Sequence, residues 1–170
     1  MIKFGKPLFL TALALTTLLT SCTLDGGSAK KESAVSTPAS SDREYLTVTN
    51  NAGAEPKIGK PIGEAPTELV TKDIIVGNGA EVVATSTLTV HYILLSWKTG
   101  EVIQSSWASQ PAVFPLTGVI KGWQQGMPGM KVGGRRLLVI PPDLAYGPNG
   151  SGPIGPNETL AFVVDVVAVK

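Results

Sequence analysis

Cysteine and histidine each occur once in the 170-residue chain, charged residues make up only 16%, and the net charge is +1. A single cysteine rules out an internal disulfide, so the fold must rest on buried apolar surface. The near balance of charge removes the electrostatic footprint of a nucleic-acid binder, and no nucleic-acid partner is expected. His91, the lone histidine, has no evident nucleophile to serve, so it reads as structural rather than catalytic. Past the N-terminal segment no run of about 20 apolar residues recurs, which excludes a further membrane-spanning helix. The glycines of Gly147–Gly155 lack the Gly-Lys-Ser/Thr ending of a phosphate-binding loop. There is no internal repeat. What remains is 43% apolar residues, enough for one core, in a chain whose length fits one globular domain at roughly 100–200 residues each.

The N-terminus has the make-up of a targeting segment. Lys3 and Lys6 precede the nearly unbroken apolar run Leu8–Leu19, which is short for a membrane span and suited to a signal peptide. Leu19-Thr20-Ser21-Cys22 then matches a bacterial lipobox. That resemblance implies cleavage before Cys22 and lipid on its sulfur and amine. An ordinary signal peptide with an incidental cysteine is the other reading. The expected organisation is a signal peptide over 1–21, a lipid-anchored flexible linker over 22–64 and a folded domain over 65–170. The linker is rich in Ser, Thr, Ala, Gly and Pro and has no sustained period of 2 or 3.6. Within it, Tyr45–Thr49 alone looks strand-like and could dock on the domain. The expected location is extracytoplasmic, on the bacterial cell membrane.

In the domain, strand signals recur over Glu68–Val76, Thr85–Leu95, Glu101–Ser106, Pro111–Leu116, Arg135–Ile140 and Thr159–Val169. The last is apolar on both faces and should be central. A single short helix carries Trp123 and is closed by Pro128-Gly129. Such a helix cannot stand alone in water, so packing must hold it. The expected class is α+β, a twisted antiparallel sheet of five to six strands wrapped around one short helix. Trp123 would floor an apolar hollow between them.

Val90-His91-Tyr92, Ser105-Ser106, Val119-Ile120-Lys121-Gly122-Trp123, Ile140-Pro141-Pro142-Asp143-Leu144-Ala145-Tyr146-Gly147 and Thr159-Leu160-Ala161-Phe162 occur in the order and approximate spacing of the FKBP-type peptidyl-prolyl cis-trans isomerases. The domain resembles that family from about Glu68 to Lys170. The resemblance implies a pocket in which Tyr92, Trp123, Tyr146 and Phe162 do the catalytic work. Ile103, Gln104, Val119, Ile120, Ser151 and Ile154 would bind substrate around them. The prolyl ring would rest on Trp123, with the Ile120 N–H and the Tyr146 hydroxyl holding carbonyls. On spacing alone, Trp123, Tyr92 and Phe162 read as core and Tyr146 as the cap of a turn; the motif series reverses this for Trp123 and Tyr146. No metal or cofactor is implied.

The chain also departs from the family pattern. Ile103-Gln104 stands where Phe-Asp is usual, Ala112 where a pocket phenylalanine is usual, and Ser151 where many members carry histidine. Trp107 or Phe114 could refill the pocket. Two functions are therefore weighed. One is an isomerase, expected as a monomer, that assists the folding of proline-containing unfolded or exported polypeptides and accepts macrolide immunophilin ligands. The other is a weakly active or inactive binding module, a holdase. A structural, adhesin-like lipoprotein is a third.

Overall fold

The computed structural model describes residues 43–170. The signal peptide, Cys22 and the first half of the expected linker lie outside the described residues. Six strands form one antiparallel sheet: β1 (Val70–Ile75), β2 (Thr87–Ser96), β3 (Val102–Ser105), β4 (Ala112–Pro115), β5 (Arg135–Ile140) and β6 (Leu160–Val169). Their order is β1-β5-β6-β2-β3, and β4 pairs with β2 beside β3. β6 is central, as its two apolar faces require.

Strand residues alternate between the two faces of a sheet. Leu88, Val90, Tyr92 and Leu94 of β2 point to one side, with Leu138 and Ile140 of β5 and Leu160, Phe162 and Val164 of β6. The helix α1 (Lys121–Gly126) closes that side. Its glycines let it lie close. A Cβ on Gly122 would collide with Ile140 Cγ2, and one on Gly126 would stand 2.6 Å from Leu138 Cδ2. Arg136 finishes the helix by donating to the carbonyls of Gly126 (2.7 Å) and Pro128 (3.3 Å) while paired with Asp73. Loose C-terminal carbonyls are thereby satisfied.

The opposite face is apolar as well, and there the expected linker needs correction. Ile93, Leu95, Leu137, Val139, Ala161 and Val163 form a second buried cluster, and Leu46 is part of it at 2% exposure. Tyr45, Val48 and Ile58 pack against it. Residues 45–62 fold back on themselves as a strap, with Gly59 N–H donating to the Thr47 carbonyl and Ile62 N–H to that of Tyr45, both at 2.9 Å. The folded unit thus extends upstream of residue 65. The cause is apolar demand: a sheet with two hydrophobic faces needs two covers, and α1 supplies only one.

Arg135 fastens the strap. Its side chain is fully buried and pairs with Asp165 through Nε (2.6 Å) and Nη2 (2.8 Å). It also donates to the carbonyls of Thr49 (2.8 Å) and Ala54 (2.6 Å) and to Asn51 Oδ1 (3.2 Å). A buried guanidinium is tolerable only when its donors are met in this way.

Candidate active site

The hollow above α1 has a volume of about 450 Å³. Tyr92 and Leu94 reach it from β2, Gln104 from β3, Phe114 from β4 and Phe162 from β6; Val119, Ile120, Trp123 and Tyr146 complete it. Trp123, 4% exposed, is the floor. Three rings stand nearly perpendicular to it: Phe162 at 5.4 Å, Phe114 at 5.9 Å and Tyr92 at 6.0 Å between centroids. Edge-to-face arrangements of this kind are the favoured ones for aromatic pairs. The Trp123 indole N–H meets no acceptor among the described residues, so the floor presents an aromatic surface without a polar tie to them.

Ile120 sits just before the helix, with φ −59° and ψ 152°. Its carbonyl accepts from the N–H groups of Trp123 (3.0 Å) and Gln124 (3.2 Å). Its own N–H has no acceptor among the described residues. Gln124 Nε2 donates to the Val119 carbonyl at 2.7 Å and so holds the rim loop to the helix. Tyr146 stands at the mouth, 38% exposed. Burial removes water from the Tyr92 hydroxyl and, with Tyr146 nearby, raises its pKa above the ordinary 10.0. Among the described residues, no aspartate, glutamate, lysine, arginine or histidine lines the hollow.

Seven of the ten expected pocket residues meet here: Tyr92, Gln104, Val119, Ile120, Trp123, Tyr146 and Phe162. The other three do not line it, although Ile103 and Ile154 belong with the core that holds Tyr92, Trp123 and Phe162. Ile103 packs half-buried against the surrounding core, and Ile154 is buried within it. Ser151 is exposed, its backbone bridged to Ile154 by two bonds of 2.9 Å. Leu94 was not expected; it lies two residues beyond Tyr92 on the same strand face, so the period of 2 would have found it. Of the two aromatics considered as replacements at the wall, Phe114 lines the hollow. Trp107 instead stacks on His91, with centroids 4.3 Å apart. No hydrogen bond joins Gln104 to Tyr92 among the described residues.

A half-open sheet closed by one short helix, with an uncharged aromatic hollow and a free backbone donor at its rim, defines a binder of apolar, amide-bearing segments. Residues 79–167 match the family described as FKBP-type peptidyl-prolyl cis-trans isomerase. A probable FK506-binding protein of Corynebacterium glutamicum is 51% identical over 115 residues, covering 67% of this chain and 98% of that one. An FK506-binding protein of Streptomyces anulatus is 48% identical over 120 residues, covering 68% and 97%. Among solved structures, AtFKBP13 is similar at 36% identity and a TM-score of 0.56, covering 62% of this chain and 96% of that one. FkpA from Escherichia coli gives 31% identity and a TM-score of 0.59, over 76% of this chain and 53% of its own. The chain belongs to the FKBP-type peptidyl-prolyl cis-trans isomerase family and is an enzyme of that class.

Proposed function

We propose that this isomerase acts on proline-containing segments of exported polypeptides at the bacterial cell membrane, held there by lipid on Cys22. The observation that carries the catalytic part is the uncharged, aromatic-lined hollow over Trp123. Rotation about an X-Pro bond is opposed by amide resonance, with a barrier of roughly 18–20 kcal/mol. No bond to the substrate need form. What lowers the barrier is a place that binds the twisted amide better than either planar form. Twisting decouples nitrogen from carbonyl and leaves a less polar group, which an aromatic hollow favours over water. The prolyl ring rests on Trp123, with Tyr92, Phe114 and Phe162 as walls. The Ile120 N–H and the Tyr146 hydroxyl then hold the flanking carbonyls while the bond turns between them. The FK506-binding relatives from Corynebacterium glutamicum and Streptomyces anulatus support a macrolide of the FK506 kind as a competing occupant.

The membrane part rests on the sequence alone, on the basic N-terminus, the apolar run and Leu19-Thr20-Ser21-Cys22. The chain is expected to work as a monomer. The test has two arms. Purified full-length chain is assayed for isomerisation of a proline peptide, and turnover blocked by FK506 is the expected result. In cells, Cys22→Ala should release the protein from the membrane fraction or leave it unprocessed. A cleaved Cys22→Ala protein that still sediments with membranes removes the lipid anchor. The second reading, a holdase, is favoured by Gln104, which brings no charge to the wall beside Tyr92. It wins if the parent suppresses aggregation of an unfolded protein without turning over the peptide.

A further inference from the structure

β6 pairs one edge of β2 along its length, but the other edge is divided between two short strands. β3 takes Ile93–Leu95 and β4 takes Thr87–Val90. His91 and Tyr92 fall in the gap. The N–H and C=O of one strand residue face the same edge, and those of Tyr92 face this gap. Ser106 closes it. Its backbone N–H donates to the Tyr92 carbonyl at 3.0 Å, and its Oγ accepts from the Tyr92 N–H at 2.9 Å. A serine hydroxyl therefore stands in for the missing strand carbonyl, and it is buried.

A hydroxyl is a free rotor until a second partner fixes it. That partner lies on the far face of the sheet. His91 Nδ1 is 3.1 Å from Ser106 Oγ, nearer than the Tyr92 carbonyl at 3.5 Å, so the imidazole is the closer second partner of the hydroxyl. The His91 ring is itself stacked on Trp107 at an interplanar angle of 16°. The guanidinium of Arg135 lies 6.0 Å from the Trp107 ring and grips the strap carbonyls. The contacts run from the strap to the backbone of a wall tyrosine, and none of Ser106, His91, Trp107 or Arg135 lines the hollow.

We propose that Ser106 is a positioning residue for Tyr92, its hydroxyl held in the required orientation by the His91–Trp107 stack. This rests on the hollow being the site of isomerisation. Tyr92 stands edge-on to Trp123, so a shift of the β2 backbone moves wall against floor, and small displacements of this kind are costly in rate.

The test uses the full-length chain. Ser106→Ala keeps the backbone N–H and removes the acceptor. The expected result is a fall in kcat of about tenfold or less, with KM changed far less, and hydrogen exchange at the Tyr92 amide faster by about tenfold. Ser106→Thr, which keeps Oγ, should restore both. An unchanged kcat with a still-protected Tyr92 amide in folded Ser106→Ala overturns the proposal, as does a Ser106→Thr that fails to rescue. Should Ser106→Ala not fold, His91→Phe keeps a ring against Trp107 and deletes Nδ1. It should lower kcat and speed Tyr92 exchange in the same direction, and an unchanged pair of values overturns the proposal. A parent without turnover sinks only the functional reading, because Tyr92 exchange in the variants still decides the positioning.

Discussion

Each wall residue offers a different physical property, and two of them can be tested singly. Tyr146 is half open to solvent, so its phenol can be altered without disturbing the core. Tyr146→Phe keeps the ring and deletes one hydrogen bond to a neutral carbonyl, an interaction of about 0.5–1.5 kcal/mol. The expected fall in kcat/KM is tenfold or less, since about 1.4 kcal/mol is tenfold, with an unchanged melting temperature. Peptide kinetics and a melt check both halves; a hundredfold loss would give Tyr146 a larger part than holding a carbonyl. Tyr92 is the buried counterpart, and its pKa lies above 10.0 because burial and then Tyr146 disfavour the phenolate. A raised acid pKa in the folded state means that stability is fully present below the unfolded value and lost as pH climbs through the folded one. Between about pH 8 and 9.5, then, Tyr92 should change neither stability nor kcat/KM, and destabilisation through it should begin only above about pH 10. Tyrosinate absorbance recorded alongside unfolding would show this; a Tyr92 that ionises below the ordinary tyrosine range would contradict it.

The elements divide into those with a sequence signature and one with only part of one. All six strands and the helix were readable, because β-branched and aromatic runs alternate and turn residues punctuate them. Trp123 was readable as a floor because it lies on a helix too short to survive unpacked among strands, within a motif series that resembles the family. The strap was readable only in part: Tyr45–Thr49 looked strand-like and able to dock, and it does pack on the sheet. The rest carries little periodicity, and much of its attachment runs from its backbone carbonyls to Arg135, and carbonyls are common to every residue. The signal lay elsewhere, in Leu137, Val139, Ala161 and Val163, whose side chains need a cover that the helix cannot provide. Arg135 supplies the test of the strap as an element. Removing one partner of a buried ion pair costs about 3–5 kcal/mol, chiefly through the charge left behind. Arg135→Met should lower the melting temperature by roughly 10 °C or more in a domain of this size. Adding Asp165→Leu should recover a large part of that, because no uncompensated carboxylate remains. If Arg135→Met melts with the parent, the clamp contributes nothing.

For the whole molecule, the two faces of the sheet raise the question of where the cooperative unit begins. A chain starting at residue 65 keeps every strand, the helix and the hollow, yet lacks Leu46 and the packing of Tyr45, Val48 and Ile58. Fully burying one Leu, Ile or Val side chain is worth about 1.5–3 kcal/mol. Several such losses rival the total stability of a domain, roughly 5–15 kcal/mol. The truncation also strips the Arg135 guanidinium of its strap acceptors while leaving it paired to Asp165. The exposed second cluster would then be an apolar patch of the kind that drives association. A chain starting at residue 43 should therefore unfold in one reversible transition. The chain starting at 65 should be aggregated, or should melt far below it. Denaturant titration adds an independent check, since the slope of the transition scales with the surface exposed on unfolding. If the strap unfolds with the sheet, the 43–170 chain gives a single transition with a steeper slope than any folded 65–170 chain. Two separate transitions, or a 65–170 chain as stable as the longer one, would make the strap a passenger and return the boundary to residue 65.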